Sequence, residues 1–181
     1  HPSALSRRPT RLPGAETVVL SSEVPTQDHE NNTFFRRLGE ARENDEGLVL
    51  NYYHVNYGFF AAYDMQLVAG REFSEAFASD QLRDNETDVP ATASIILNES
   101  AVRRLGYAST EDAVGQTVRA NLSFGGLHDL TIVGVSRDVY FRSIRFGIRP
   151  SVFLLHPGAF RVATVSFKST PADIIQAALD T

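Results

Sequence analysis

The chain has 181 residues and a formal net charge of −5 at pH 7, with 43% hydrophobic and 22% charged residues, which is ordinary globular composition. A chain of this size can bury one good core, or two small lobes sharing one. Cysteine is absent, which excludes disulfides, thiolate zinc sites and cysteine nucleophiles, and no stretch approaches the ~18 consecutive apolar residues of a membrane span.

The first thirteen residues carry Arg7, Arg8 and Arg11 among three prolines and show no apolar period, as expected of a frayed lead-in. The chain opens on His1-Pro2 without a charged segment followed by an apolar one, and reads as a piece cut from something longer. Val18, Val19 and Leu20 form a short strand stopped by Pro25. After the polar stretch 26–33, TFFRRLGEA reads as a strand and RENDEG as a charged turn. LVLNYYHV, apolar or aromatic on both alternating faces, predicts a strand covered on both sides. Residues 57–65 suit a short helix that turns Phe59, Phe60 and Tyr63 to a core, and 66–73 a strand closed by Gly70. The polar, acidic stretch 74–90 is the expected mobile loop.

Ala93 to Leu97 predicts a buried strand, followed by a short helix capped by Asn98 at its start and Gly106 at its end. A second one-turn helix is expected from Ser109 to Gly115. TVRANLSF and LHDLTIVGV flank Gly125-Gly126, residues suited to a two-residue hairpin. SVFLLH and VATVSFK are further strands, and a helix begins at Asp173.

Candidate chemistry is sparse. The acidic run 84–88 has three spacings of a calcium loop, but Val89 stands where glycine is required and Ile95 where the closing carboxylate belongs. The five histidines form no metal-ligand spacing; His54 reads as a core ring and His128 as a polar turn edge. Serine-elbow and phosphate-loop motifs are missing, so no catalytic or metal-binding residue is assigned. Arg137, Arg142 and Arg145, interleaved with Tyr140 and aromatic neighbours, form a strip that is either an anionic-partner contact or arginines solvated along their length. Lys168 is the one lysine, and an acidic chain of this kind is not expected to bind nucleic acid.

Five segments in order carry a family resemblance. LPGAETVVLSSEVP, VNYGFFAAYDMQLVAGREFS, IILNESAVRRLG, EDAVGQTVR and TIVGVSRDVYFRSIR with RPSVFL resemble the MacB-like periplasmic core domain of ABC transporter permeases, within the FtsX-like superfamily. The signature positions are Gly70, Arg71, Phe73, Asn98, Gly115, Gly134, Arg149 and Pro150. Asn56-Tyr57 departs from the family's usual Ser-Pro. The resemblance implies an α+β fold of mixed β-sheet lobes with short helices: one domain over 1–181. Its ferredoxin-like porter lobe, here incomplete, would take residues 14–75 and 160–181, and an inserted β-rich lobe residues 76–159. It further implies a non-catalytic domain at the outer face of the bacterial inner membrane, coupling helix motion to substrate export or partner engagement. Expected partners are the flanking transmembrane helices, an ATP-binding subunit, and a second permease copy or periplasmic adaptor. No cofactor is expected in this chain, since ATP would bind a separate cytoplasmic ATPase. The rival readings are a periplasmic sensing module, holding a peptide or lipid near Tyr52, Tyr53 and Tyr57 or on the arginine strip, and an enzyme with a scattered site.

Overall fold

One long strand borders three others and thereby closes the main sheet. The computed structural model of the chain describes residues 15–23, 31–39, 47–83, 89–122, 126–140 and 147–167. In chain order these form β1 (Ala15–Ser21), β2 (Asn32–Arg37), β3 (Leu48–His54), α1 (Phe59–Ala62), β4 (Leu67–Gly70) and β5 (Ala91–Asn98). There follow α2 (Glu99–Leu105), α3 (Thr110–Ala113), β6 (Thr117–Leu122), β7 (Gly126–Ser136), β8 (Ser151–Leu154) and β9 (Val162–Phe167). One edge of β7 runs parallel to β5 from His128 to Ser136. Its other edge takes β6 antiparallel as far as Thr131 and then β4 antiparallel from Gly134. The order β7-β5-β8-β3-β2-β6 therefore returns to β7 as a six-stranded barrel, with β4 as a flap on its rim. Closure pairs each barrel strand on both sides over at least part of its length.

Alternation places Phe35, Leu50, Tyr52, Ile95, Leu97, Val118, Ala120, Leu130, Ile132, Val152 and Leu154 in one buried cluster, joined by Ala101, Val102 and Leu105 of α2 and Ala113 of α3. A bulge breaks the β5–β7 register between Ile95 and Ile96. The extra residue shifts the parity of β7, so that Val135 joins the same cluster as Leu130 and Ile132. Gly134 sits at this bulge and meets Gly70 of β4. A methyl group on Gly134 would run into the Arg71 carbonyl, and one on Gly70 into the Val133 carbonyl. Only a pair of glycines permits this approach.

The second cluster lies outside the barrel: Phe59 and Phe60 of α1 with Val55, Met65, Phe73, Ile96, Phe153, Leu155 and Phe160. Phe60 meets Phe153 edge-on at 5.1 Å between ring centroids. This layer also holds Leu20, and so attaches the separate β1–β9 ribbon. The ribbon is further tied by backbone bonds from Ser22 N to His54 O and Asn56 N to Leu20 O, and by the Tyr63 hydroxyl against Thr164 Oγ1 at 2.9 Å, while Arg161 N to Ser21 O extends its own ladder.

The α+β class holds: mixed sheets with few, short helices. Several local expectations change. The main sheet draws β2, β3 and β4 into hydrogen bonding with strands beyond residue 76, so the sheet does not divide at the expected lobe boundary of 75/76. The stretch after Ser74 is not uniformly loose, because Ala78–Asp80 makes a turn of 3-10 helix with Asp80 fully buried, and Leu82 N bonds Leu155 O. The rest of that loop, 84–88, lies outside the described residues, as does the helix expected from Asp173. Gly126 of the expected Gly125-Gly126 turn belongs to β7, where it pairs with Leu122. Gly125, with 123–124, lies outside the described residues.

Candidate functional site

The signature residues fall into two polar assemblies, and both are made of caps and forks. The first centres on Asn98, 3% exposed at the end of β5. Its side chain has a β-strand before it and a helix after it, where the first-turn N–H groups need acceptors. Asn98 Oδ1 accepts from Ala101 N at 2.9 Å, capping α2, and from Ser151 N at 2.8 Å, while Nδ2 donates to Arg149 O at 2.8 Å. One side chain thus joins β5, α2 and the entry to β8. Arg149 therefore serves here through its carbonyl, and Pro150 likewise accepts from Asn51 N. Asp138 grips the same helix: Oδ1 accepts from Ser100 N at 2.9 Å, and Oδ2 from Ser100 Oγ at 2.8 Å and Arg103 Nη2 at 2.7 Å. Asp138 N in turn donates to Glu99 Oε2 at 3.0 Å.

The consequence is a segment held at both feet. Residues 137–140 leave β7 at the Asp138 anchor, and the chain returns to β8 past the Asn98 anchor. Arg137 is exposed with its N–H on Gln66 O, and Tyr140 is exposed. Arg142 and Arg145 of the expected strip lie outside the described residues.

The second assembly explains Gly70, Arg71 and Phe73. The glycine contact fixes the path of β4, and Phe73 anchors the following turn in the outer core. Between them Arg71 forks onto Asp80, Nη1 to Oδ2 at 2.7 Å and Nη2 to Oδ1 at 2.9 Å, and lies 4.0 Å over the Phe77 ring. Ser74 N donates to the same carboxylate. Burial pushes the Asp80 carboxyl up, but the Arg71 fork, the Ser74 N–H and the Ser94 hydroxyl together outweigh it and hold it below the usual carboxylate range. Gly115, at positive φ, closes α3 and donates to Ile132 O at 2.7 Å.

The histidines are structural in different ways. His128 is not a turn edge but a fully buried staple, its Nδ1 3.0 Å from Gly126 O and its Nε2 3.0 Å from Arg83 O. His54 is a buried ring at the ribbon junction, with centroids 5.3 Å from His156. Burial first, then the charges of His156 and Arg161, lowers His54 to about 3. Among the described residues no cluster of three or more His, Asp or Glu side chains could hold a metal ion. Of that aromatic trio Tyr52 is buried, and Tyr53 is half-buried with its ring stacked on Phe153.

Sequence reasoning missed Asp80, Asp129 and Asp138 as partners. Arg119 and Asp129 form a bidentate pair at 2.6 and 2.8 Å across the β6–β7 hairpin, and hairpin register could have paired them. Asp80 and Asp138 carry no local signal, because their partners come from other elements.

Comparison with known proteins places this geometry. The sequence matches the MacB-like periplasmic core domain family over residues 4–179. A search of curated proteins finds no significant match. Among solved structures, the fold is similar to the extracellular domain of the noncanonic ABC-type transporter YknZ from Gram-positive bacteria, with TM-score 0.58 and 15% identity over 92% of this chain and 71% of that one. It is also similar to the periplasmic region of MacB from Actinobacillus actinomycetemcomitans, with TM-score 0.52 and 16% identity over 98% of this chain and 68% of that one. No helix among the described residues is long and apolar enough to cross a membrane. The chain belongs to the MacB-like periplasmic core domain family, the extracytoplasmic domains of ABC transporter permeases.

Proposed function

We propose that this domain is a non-catalytic mechanical element, coupling the motion of flanking transmembrane helices to substrate export or partner engagement. ATP is bound and hydrolysed by a separate cytoplasmic subunit or domain, and the outer surface engages a second permease copy or a periplasmic adaptor. The observation that carries the reading is the β1–β9 ribbon: two antiparallel strands leave the barrel side by side, so one displacement is delivered to the barrel through both. Two backbone hydrogen bonds, the Tyr63–Thr164 contact and Leu20 join ribbon to barrel, and movement would pass along them. The polar residues that stand out, Asn98, Asp138, Arg71 and Asp80, hold elements together rather than present a nucleophile beside a base.

The test is made in the complete permease with its ATPase, reconstituted in vesicles. Two glycines inserted between Ser21 and Ser22 should abolish transport while ATP hydrolysis continues. Transport at the parental rate would overturn the coupling role, and substrate turnover by the domain alone would overturn its non-catalytic character.

A further inference from the structure

The outer wall of the barrel carries a groove that neither assembly uses. Where β2 and β6 part company, the Thr33 hydroxyl bonds Asn121 O at 2.9 Å in place of a continuing ladder, and a cavity of about 280 Å³ opens beside Phe34, Ala120, Leu127, Arg36 and Arg119. Phe34 is 54% exposed, and its cross-strand neighbour Val49 is 48% exposed on the same outer face. Two large apolar side chains paired in water are an unfavourable arrangement unless something covers them.

The polar end of the groove carries an unbalanced charge. Arg36 and Arg119 stand directly opposite each other on β2 and β6, a like-charge pair that is destabilising on a sheet. Among the described residues Asp129 is the carboxylate that faces them, and each of its oxygens accepts one bond of the Arg119 fork, with Arg36 close enough to add to its charge stabilisation. Arg36 is exposed and has no hydrogen-bond or ion-pair partner among the described residues. Among the described residues Arg36 feels the charge of Asp129 without a hydrogen bond to it, which leaves room beside it for one anionic group, continuous with an apolar surface over Phe34 and Leu127. The volume falls just below the range of roughly 300–1,000 Å³ that holds drug-sized ligands, which fits a single chain.

We propose that this groove binds a single-chain amphiphilic anion, its carboxylate on Arg36 and its alkyl chain along Phe34 and Leu127. A guanidinium and a carboxylate form a charge-assisted pair, and the aromatic wall gives the chain its contact area. The inference does not depend on the mechanical role, since no residue lining the groove belongs to the ribbon.

The experiment is calorimetric titration of the 181-residue chain with decanoate, decyltrimethylammonium and acetate, each below its micellar range. Decanoate is expected to bind saturably at one site, with acetate and decyltrimethylammonium showing none. Arg36→Glu and Phe34→Ser should each weaken decanoate by about tenfold or more. Both positions are exposed, so circular dichroism should show the fold retained, and Arg36→Ala should leave urea stability unchanged or raised by relief of the Arg36–Arg119 repulsion. Equal binding of the cationic amphiphile, decanoate binding unaltered by either substitution, or no saturable binding would each overturn the proposal.

Discussion

Arg71 draws its importance from what surrounds Asp80. The carboxylate is fully buried, and the guanidinium supplies two parallel hydrogen bonds while its plane rests on Phe77. Removing one partner of such a pair leaves an uncompensated charge, which costs more than the pair itself contributes. Arg71→Ala should lower unfolding free energy by on the order of 3 kcal/mol in urea titration. Arg71→Lys should recover only part of this, because an ammonium cannot make the fork or the stack. Equal stability of the lysine variant would show that charge alone matters there. At this scale the sequence was half legible. Arg71 stood out as a signature residue, but its partner nine residues on lay in a stretch whose acidic, polar composition read as mobile loop. Composition reports average solvation, and it cannot show that one carboxylate in the run is turned inward. Asn98 and Gly106 were legible because capping is local, acting within a few residues of the helix it serves.

At the scale of elements, α2 is too short to persist by itself, and it depends on what holds its first turn. Asn98 acts there twice, as the helix cap and as the clamp on Arg149 and Ser151. Loss of a cap costs about 1 kcal/mol, and leaving buried backbone groups without partners adds about 1–3 kcal/mol. Asn98→Ala should therefore destabilise by about 2–4 kcal/mol in denaturant titration, and Asn98→Asp should recover the cap but set a carboxylate against the Arg149 carbonyl. If Asn98→Asp matched the parent, the clamp would be unimportant. Strands were the most legible elements, since β2, β3, β5, β8 and β9 follow their apolar runs. What alternation could not show was their partners. The parallel pairing of β5 with β7, and the bulge that changes which β7 residues face inward, depend on segments some forty residues apart meeting in space.

Over the whole molecule, the ribbon and barrel meet around a pair of buried imidazoles. His54 titrates at about 3 in the folded chain against an ordinary value of 6.5, and the groups facing it are His156 and Arg161, with Tyr52 edge-on. Between those two values the unfolded chain binds a proton that the folded chain does not. Stability from this group is therefore complete above about pH 6.5 and falls as pH drops toward 3, by up to about 1.4 kcal/mol per pH unit. Asp80 and Asp129, held low, lose their contribution further down, as pH falls through 3.8 and below. Thermal melts from pH 7 to 4 should show a declining midpoint, and His54→Phe should flatten that decline; an unchanged slope would remove His54 as its cause.

The ribbon also has a direction of strength. β1 and β9 are antiparallel, with Ala15 opposite Phe167 at the far end and Ser21 opposite Val162 at the barrel. A force spreading the far ends would open the ladder one bond at a time, like a zipper, and each step would meet little resistance. A push or pull along the ribbon, shared by both strands, is carried by the two backbones to the junction and leaves the rungs between them unloaded. Such a strut passes on axial strokes and gives way to lateral ones, so in the proposed mechanical role the pairing of two strands would select which movements reach the barrel.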